Sequence, residues 1–554
     1  MEYPCSAAAP SFRSADGWRI LQVWLLLGML GAAEWQWSVP DGQARAYLWI
    51  PPTCSHVRGA LVANHNMIEQ GILEHPAMRR TLAALDFAEV WVVPALDASF
   101  DFHHGAGEHF QSIVDHLAEV SGYEELRRAP VVPIGHSACA TYPWNFAAWN
   151  PQRTLAVLSV HGDAPQTTLT GNGKPRLEWG ERSIDGIPGL MVMGEFEWWE
   201  DRLKPALQFA ASHPQTPLAM LADAGHGHFD FSDDLVEYLA LFVRKAAAAR
   251  LTDTVGADGV VQLRAVDPRQ GWRADRWHPD AAPTTVAAPY ADYAGDAAQS
   301  FWCFDGEMAA AGEAIYAKAR GRQPQLLSVT ADDGSDPQAG CGEPVTPAFI
   351  AQADGLTFTL RTAFVATVPG SPANTNPARW AKLPVGTPLG HAAGGGPIRL
   401  SPIVGPLRQV GPQTFTVQLG RAEYTENSRN HDLWLVASHP GDEQFKSAVQ
   451  QVRIAIPRMT SGIAQTITFP ALADQPRGTS SLTLAAVSNA GLPVHYYLRE
   501  GPAEIEGNTL RFTALPPRSR LPLAVTVVAW QLGRGGEHPV QAAPAVERTF
   551  YLTP

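Results

Sequence analysis

Cysteine is scarce, with 5 in 554 residues, and the five are far apart. Cys5, Cys54, Cys139, Cys303 and Cys341 fit no paired spacing that would build a zinc site, so a structural metal centre is not expected. Charge is scarce too: 17% of residues are Asp, Glu, Lys or Arg, and no charge run is long enough to act as a tail. The balance is acidic, 41 − 54 = −13, which makes a poor partner for nucleic acid or an anionic membrane surface. Past residue 33 no apolar stretch is long enough to span a bilayer. No internal repeat is visible, which argues against a solenoid or propeller.

What is present is ample apolar material. Hydrophobic residues make up 45% of the chain, with 17 Trp, so wholesale disorder is excluded. The 48 Gly and 46 Pro point to many turns and a large β component. A chain this long is expected to divide into several domains. Residues 1–33 are expected to be a signal peptide. Arg13 and Arg19 precede an apolar run over 20–30, and Gly31, Ala32 and Ala33 form a small-residue exit. Export would leave a secreted or periplasmic protein with no membrane association. It would also permit a Cys303–Cys341 disulfide.

Residues 34–250 alternate between strand-length apolar runs and helical patterns. Strands are expected at 46–50, 60–63, 90–93, 131–134, 155–160, 190–193 and 218–222. Helices are expected over 78–85, 110–120, 138–149, 203–211 and 235–248. Several strands are apolar throughout, as strands covered on both faces must be. The fold class is therefore α/β with a mostly parallel sheet. Beyond residue 250 the texture turns to short alternating segments, such as 356–362 and 413–419, with one candidate helix at 309–319 and a long loop over 366–398. From about residue 462 six short strands follow: 465–469, 482–487, 495–498, 509–512, 523–530 and 548–552. The expected division is a β-rich domain at 251–460 and an immunoglobulin-like sandwich at 461–554.

Chemistry concentrates in three turns, each following an apolar strand. Val131-Val-Pro-Ile-Gly-His-Ser-Ala-Cys-Ala140 sets Ser137 between a strand and a helix, with the small Gly135 and Cys139 at minus two and plus two. A nucleophile elbow needs small residues there because strand and helix nearly touch. Cys139 itself is not the nucleophile, since the plus-two side chain points into the packing. A serine hydroxyl needs a base, and the base needs an orienting acid. Gly194-Glu-Phe-Glu-Trp-Trp-Glu200 offers Glu197, with Glu195 as its rival. Asp223-Ala-Gly-His-Gly-His-Phe229 offers His228, with His226 as a rival or a substrate-facing neighbour. The order Ser, acid, His is that of this elbow on an α/β sheet. Oxyanion donors are expected from the N–H of Ala138 and, in the loop after the 60–63 strand, from Asn66 or Met67. His65 in that loop and Trp198 beside the acid are candidate substrate contacts, and Trp199 adjoins them. The cluster Asp101-Phe-His-His-Gly-Ala-Gly-Glu-His109 lacks tetrahedral ligand spacing and reads as pocket wall or loop structure rather than a metal site.

With these three turns in place, residues 34–250 resemble the α/β-hydrolase superfamily. They are most similar to secreted bacterial serine esterases of the acetylxylan and feruloyl types. The resemblance implies hydrolysis of acyl or methyl esters on polysaccharides or their fragments through an acyl-enzyme, without cofactor. The β-rich remainder resembles the appendage that exported hydrolases carry. A lipase or peptidase on the same triad, or a glycan-binding protein with a relic hydrolase domain, are the alternatives.

Overall fold

The computed structural model describes residues 35–167, 175–197, 200–257, 259–334, 343–370, 376–422 and 432–554. The expected signal peptide, Trp198, Trp199 and Cys341 lie outside the described residues.

An eight-stranded sheet forms the centre. Its strands are β1 (Trp37–Asp41), β2 (Ala44–Trp49), β3 (Gly59–Asn64), β4 (Phe87–Val93), β5 (Val131–His136), β6 (Val157–Val160), β7 (Gly189–Gly194) and β8 (Leu218–Asp223). Their order is β1-β2-β4-β3-β5-β6-β7-β8. β1 and β2 pair antiparallel, and so do β2 and β4; every later pairing is parallel. Every residue of β3, β4, β5, β6 and β7 is buried, which explains why those segments read as unbroken apolar runs. β1 was not legible: Trp37-Ser-Val-Pro-Asp41 is short and carries a proline, which an edge strand tolerates.

Helices cover both faces: α1 (Glu69–Leu73), α2 (Pro76–Leu85), α3 (Ala106–Ser121), α4 (Tyr142–Trp149), α5 (Glu200–Ser212) and α6 (Asp233–Arg250). α4 starts four residues later than its sequence pattern, because Ser137–Cys139 form a separate 3-10 turn. Pro143 then falls in the first turn of α4, where its missing N–H costs nothing. α6 begins on Ser232, whose hydroxyl accepts the Leu235 N–H.

The strand order reverses across β4-β3-β5. At such a reversal the loops leaving neighbouring strands diverge and open a crevice at their C-terminal ends. The loop after β3 and the turn after β5 both leave from that point. The architecture is an α/β domain built on a mostly parallel sheet, followed by a β-rich appendage that also carries helices.

The appendage consists of small, mostly antiparallel sheets. Strands Trp272–Asp275, Ala288–Pro289 and Ser300–Cys303 make a three-stranded sheet beside β8, with α7 (Gly306–Ala317) resting on α6. Strands Leu327–Ala331, Thr357–Phe364, Thr414–Val417 and Leu407–Gln409 form one sheet, and Arg399–Val404, Asp432–His439 and Ala448–Ala455 form another. These two share a core that includes Phe358, Phe415, Leu435 and Val452. The C-terminal strands form a four-stranded, a three-stranded and a two-stranded sheet. There the expected 465–469 strand shrinks to Ile467–Thr468, and the 482–487 strand splits into Ser481–Thr483 and Val487–Ser488. Their side chains alternate or are exposed, so each short segment is held by its neighbours rather than by its own apolar face. The 366–398 loop contains a short helix, Asn376–Ala381. Among the described residues no helix is long and apolar enough to cross a membrane.

Candidate active site

The turn after β5 is tight and strained. Ser137 has φ +53°, in the left-handed region that side chains avoid. A Cβ on Gly135 would lie 2.0 Å from the Cys139 carbonyl oxygen, so only glycine fits at that position. Cys139 is buried, as the plus-two position requires. The strain places the Ser137 hydroxyl at the head of the sheet.

Two neighbouring turns bring partners to it. Ser137 Oγ and His228 Nε2 are 2.6 Å apart. His228 Nδ1 and Glu197 Oε2 are 2.5 Å apart. Glu197 sits in a 3-10 turn at the end of β7, and His228 in the loop between β8 and α6. The hydroxyl donates to Nε2, and Nδ1–H donates to the carboxylate.

Glu197 is saturated with donors. Oε1 accepts the Gly194 N–H at 2.9 Å and His161 Nδ1–H at 2.7 Å. Oε2 accepts His228 and Arg202 Nη1, the latter at 2.8 Å. Burial alone would raise the Glu197 carboxyl. The facing His228 and His161 outweigh it and hold the group well below the ordinary carboxylate value. The acid therefore stays ionised, which an orienting carboxylate must do. Arg202 also donates through Nη2 to the carbonyls of His161 and Gly162, at 3.3 and 2.7 Å, locking the end of β6 to the acid turn.

The rivals sit elsewhere. Glu195 is buried and accepts the Gly225 N–H at 2.8 Å, so it braces the histidine loop. His226 Nδ1 is 2.6 Å from Asp230 Oδ2 and pairs with it rather than with Glu197. Burial works against protonation of His226, but Asp223 and Asp230 overcome it and raise it to about 9.

The loop after β3 differs from expectation. The N–H groups of Asn66 and Met67 both donate to Glu69 Oε2, at 3.0 and 2.7 Å. Glu69 Oε1 accepts the His136 N–H at 2.8 Å. Glu69 is fully buried, and a buried carboxyl must collect donors. It takes the two amides expected for an oxyanion and fastens this loop to the residue before Ser137. Burial still pushes Glu69 up to about 7. His65 is also not at a substrate surface: it is buried, edge-on to Trp91 at 5.3 Å, and its own N–H is bonded to the Val92 carbonyl. Desolvation lowers it to about 4. In the Asp101 cluster, Asp101 Oδ2 lies 2.7 Å from His104 Nδ1, and His103 Nε2 bonds the Glu178 carbonyl at 2.9 Å. Cys303 is buried with Sγ 3.8 Å from the Asp305 carbonyl.

Sequence reasoning missed His136, His161 and Arg202. His136 Nε2 donates to the His228 carbonyl at 2.8 Å and fixes the histidine loop. His161 follows an apolar strand, the same signal that marked the other three turns. Arg202 lies five residues beyond Glu197, one turn into α5.

The appendage reaches the site as well. Gln451 donates to Asp230 Oδ1, which also accepts the Gly227 N–H at 2.9 Å. Phe229 packs on Trp434, with centroids 5.3 Å apart, and Phe196 packs on Trp380 at 4.9 Å. Both turns that carry the acid and the histidine are thus buttressed by residues from beyond position 250.

No family model matches this chain, and no curated protein does. Among solved structures it is similar to an α/β serine hydrolase homologue from Coxiella burnetii, at 13% identity over 38% of this chain and 95% of that one, with a TM-score of 0.26. It is similar to a monoglyceride lipase from Saccharomyces cerevisiae, at 13% identity over 39% of this chain and 97% of the other, TM-score 0.27. It is also similar to a dienelactone hydrolase from Anabaena variabilis, at 15% identity over 39% and 98%, TM-score 0.26. Likeness at this level names neither a reaction nor a substrate.

Proposed function

We propose that the protein is a serine esterase in which Ser137, His228 and Glu197 form the catalytic triad. The observation that carries this reading is the unbroken chain Ser137 Oγ, His228 Nε2, His228 Nδ1 and Glu197 Oε2, with links of 2.6 and 2.5 Å. His228 takes the Ser137 proton as Oγ attacks the ester carbonyl carbon. The tetrahedral oxyanion is met by the N–H of Ala138, the first amide after the nucleophile. Collapse expels the alcohol, which receives the proton from His228, and leaves an acyl-serine. Water, deprotonated by His228, then attacks the acyl carbon and releases the acid, and the proton returns to Ser137. Every atom is supplied by ester and water, so no cofactor is required.

The substrate class we propose is an acetyl, feruloyl or methyl ester of a polysaccharide or its fragments. It is supported by the resemblance of the three turns to exported carbohydrate esterases and by the signal-like residues 1–33, which favour a secreted or periplasmic location. The test is a fluorophosphonate probe followed by peptide mapping, then a panel of acetylated, feruloylated and methyl-esterified glycans. Label on Ser137 and turnover of one glycan class are expected. No label on Ser137 would overturn the triad, and turnover confined to triglycerides or peptides would overturn the substrate class.

A further inference from the structure

Glu197 is gripped by two imidazoles, and an orienting acid needs only one. His228 bonds Oε2 at 2.5 Å and His161 bonds Oε1 at 2.7 Å, and the two rings lie 6.0 Å apart. His161 is wholly buried, and its backbone is held in the left-handed region at φ +47°. A non-glycine residue there is strained, so the fold spends conformational energy to aim this ring. Its Nε2 has no hydrogen-bond partner among the described residues. Both carboxylate oxygens of the buried Asp223 lack one as well.

Resting on the triad reading, we infer that His161 is a positioning residue of the triad. Its Nδ1–H fixes the acid so that Oε2 faces His228. The groups that face His161 bear this out electrostatically. Glu197 on the acid turn, Asp223 at the end of β8 and Asp230 in the histidine loop face it and favour its cation, with the Asp223 carboxyl itself pushed up by burial. Against them stand the neighbouring rings of His136 and His228 and the guanidinium of Arg202, itself 3.5 Å from Asp163. Burial opposes the cation, the carboxylates outweigh burial, and the net direction for His161 is upward.

The test is His161→Gln, which keeps an N–H donor, beside His161→Ala, which removes it. The reading is kcat against KM for p-nitrophenyl acetate. His161→Gln is expected to keep kcat within about threefold. His161→Ala is expected to lose about tenfold or more in kcat with KM changed less, because a hydrogen bond to a charged group is gone. Equal kcat losses in the two variants would overturn the inference, as would a loss confined to KM. Should neither variant fold, histidine nitrogen NMR on the wild-type protein reads the tautomer: a proton on Nδ1 of His161 supports the inference, and a bare Nδ1 overturns it. Fluorophosphonate labelling of Ser137 separates the two ideas: failure to label the wild type sinks the triad, whereas labelling with equal kcat losses in the two variants sinks only the role of His161.

Discussion

The two halves of this molecule store their stability differently. In the sheet of residues 37–223, five successive strands are buried along their whole length. In the appendage many strands alternate, as in Leu327–Ala331 and Thr414–Val417, or are largely exposed, as in Ser481–Thr483, and only some, such as Asp432–His439 and Leu523–Trp530, are buried along most of their length. The first half could in principle hold its core alone, while the second depends on neighbours. Yet the core of the α/β half is continuous with residues from 277–315 and from 403–552. The two halves also exchange hydrogen bonds at several places. Glu500 accepts the Ser38 hydroxyl at 2.6 Å, Arg518 reaches Glu125 at 3.0 Å, and Gln451 reaches Asp230. The difference teaches that a self-sufficient sheet can still borrow its working geometry from an appendage.

The sharpest way to break that comparison is to remove the appendage. A chain ending at Arg250 would uncover Phe242, which packs against Phe304 at 5.2 Å, along with Phe229 and Phe196. Loss of soluble, active protein is expected on expression, because the exposed faces form an apolar patch. A soluble fragment with full esterase activity would show that the appendage is dispensable to both fold and site.

The next effect lies within the sheet. Ser137→Ala is expected to lower kcat/KM by roughly 10⁴ or more with the melting temperature little changed. His228→Ala should match it, and the double variant should be no worse, because the two residues act as a unit. Activity within tenfold of wild type would remove Ser137 from the site.

A smaller effect is expected from the appendage side. Gln451→Ala strips one donor from Asp230, which anchors the loop carrying His228. A loss of about tenfold in kcat is expected at saturating substrate, with KM changed less. A KM effect alone would place Gln451 in substrate binding rather than in support of the loop.

The smallest effect is on stability. His226 is raised from its ordinary 6.5 to about 9, because Asp223 and Asp230 outweigh its burial. A raised histidine stabilises the fold fully below its unfolded value and loses that contribution as pH rises through its folded value. The wild-type melting temperature should therefore fall between about pH 6.5 and pH 9, and His226→Gln should flatten that fall. An equally steep decline in the variant would assign the pH dependence to another group.

How legible each region was follows from the same contrast. Burial on both faces writes a strand as an apolar run, so β3 to β8 could be read from residues alone. Single-faced strands leave a weaker trace, and strands Asp432–His439 and Ala448–Ala455 were not anticipated although their side chains are mostly buried. Their Gln and Ser residues, such as Gln450 and Gln451, hide the apolar signal because they are satisfied by hydrogen bonds formed only in the fold. Ser137, Glu197 and His228 were legible because each turn followed an apolar strand in the order the elbow demands. Choosing Glu197 over Glu195, and His228 over His226, rested on register, and the fold brings the chosen pair together.

The sequence by itself determined the α/β class, the β-rich remainder and the three turns that carry Ser137, Glu197 and His228, since periodicity and small-residue spacing are local properties of the chain. Only the tertiary structure decided the rest. It sent the Asn66 and Met67 amides to Glu69, because a carboxyl buried by folding must gather donors from whatever lies near. It set His161 on the far oxygen of Glu197 and Gln451 on Asp230, contacts spanning 36 and 221 residues of chain. Nothing local encodes such pairs: they exist because packing brings distant polar groups into a space without water, where each must find a partner.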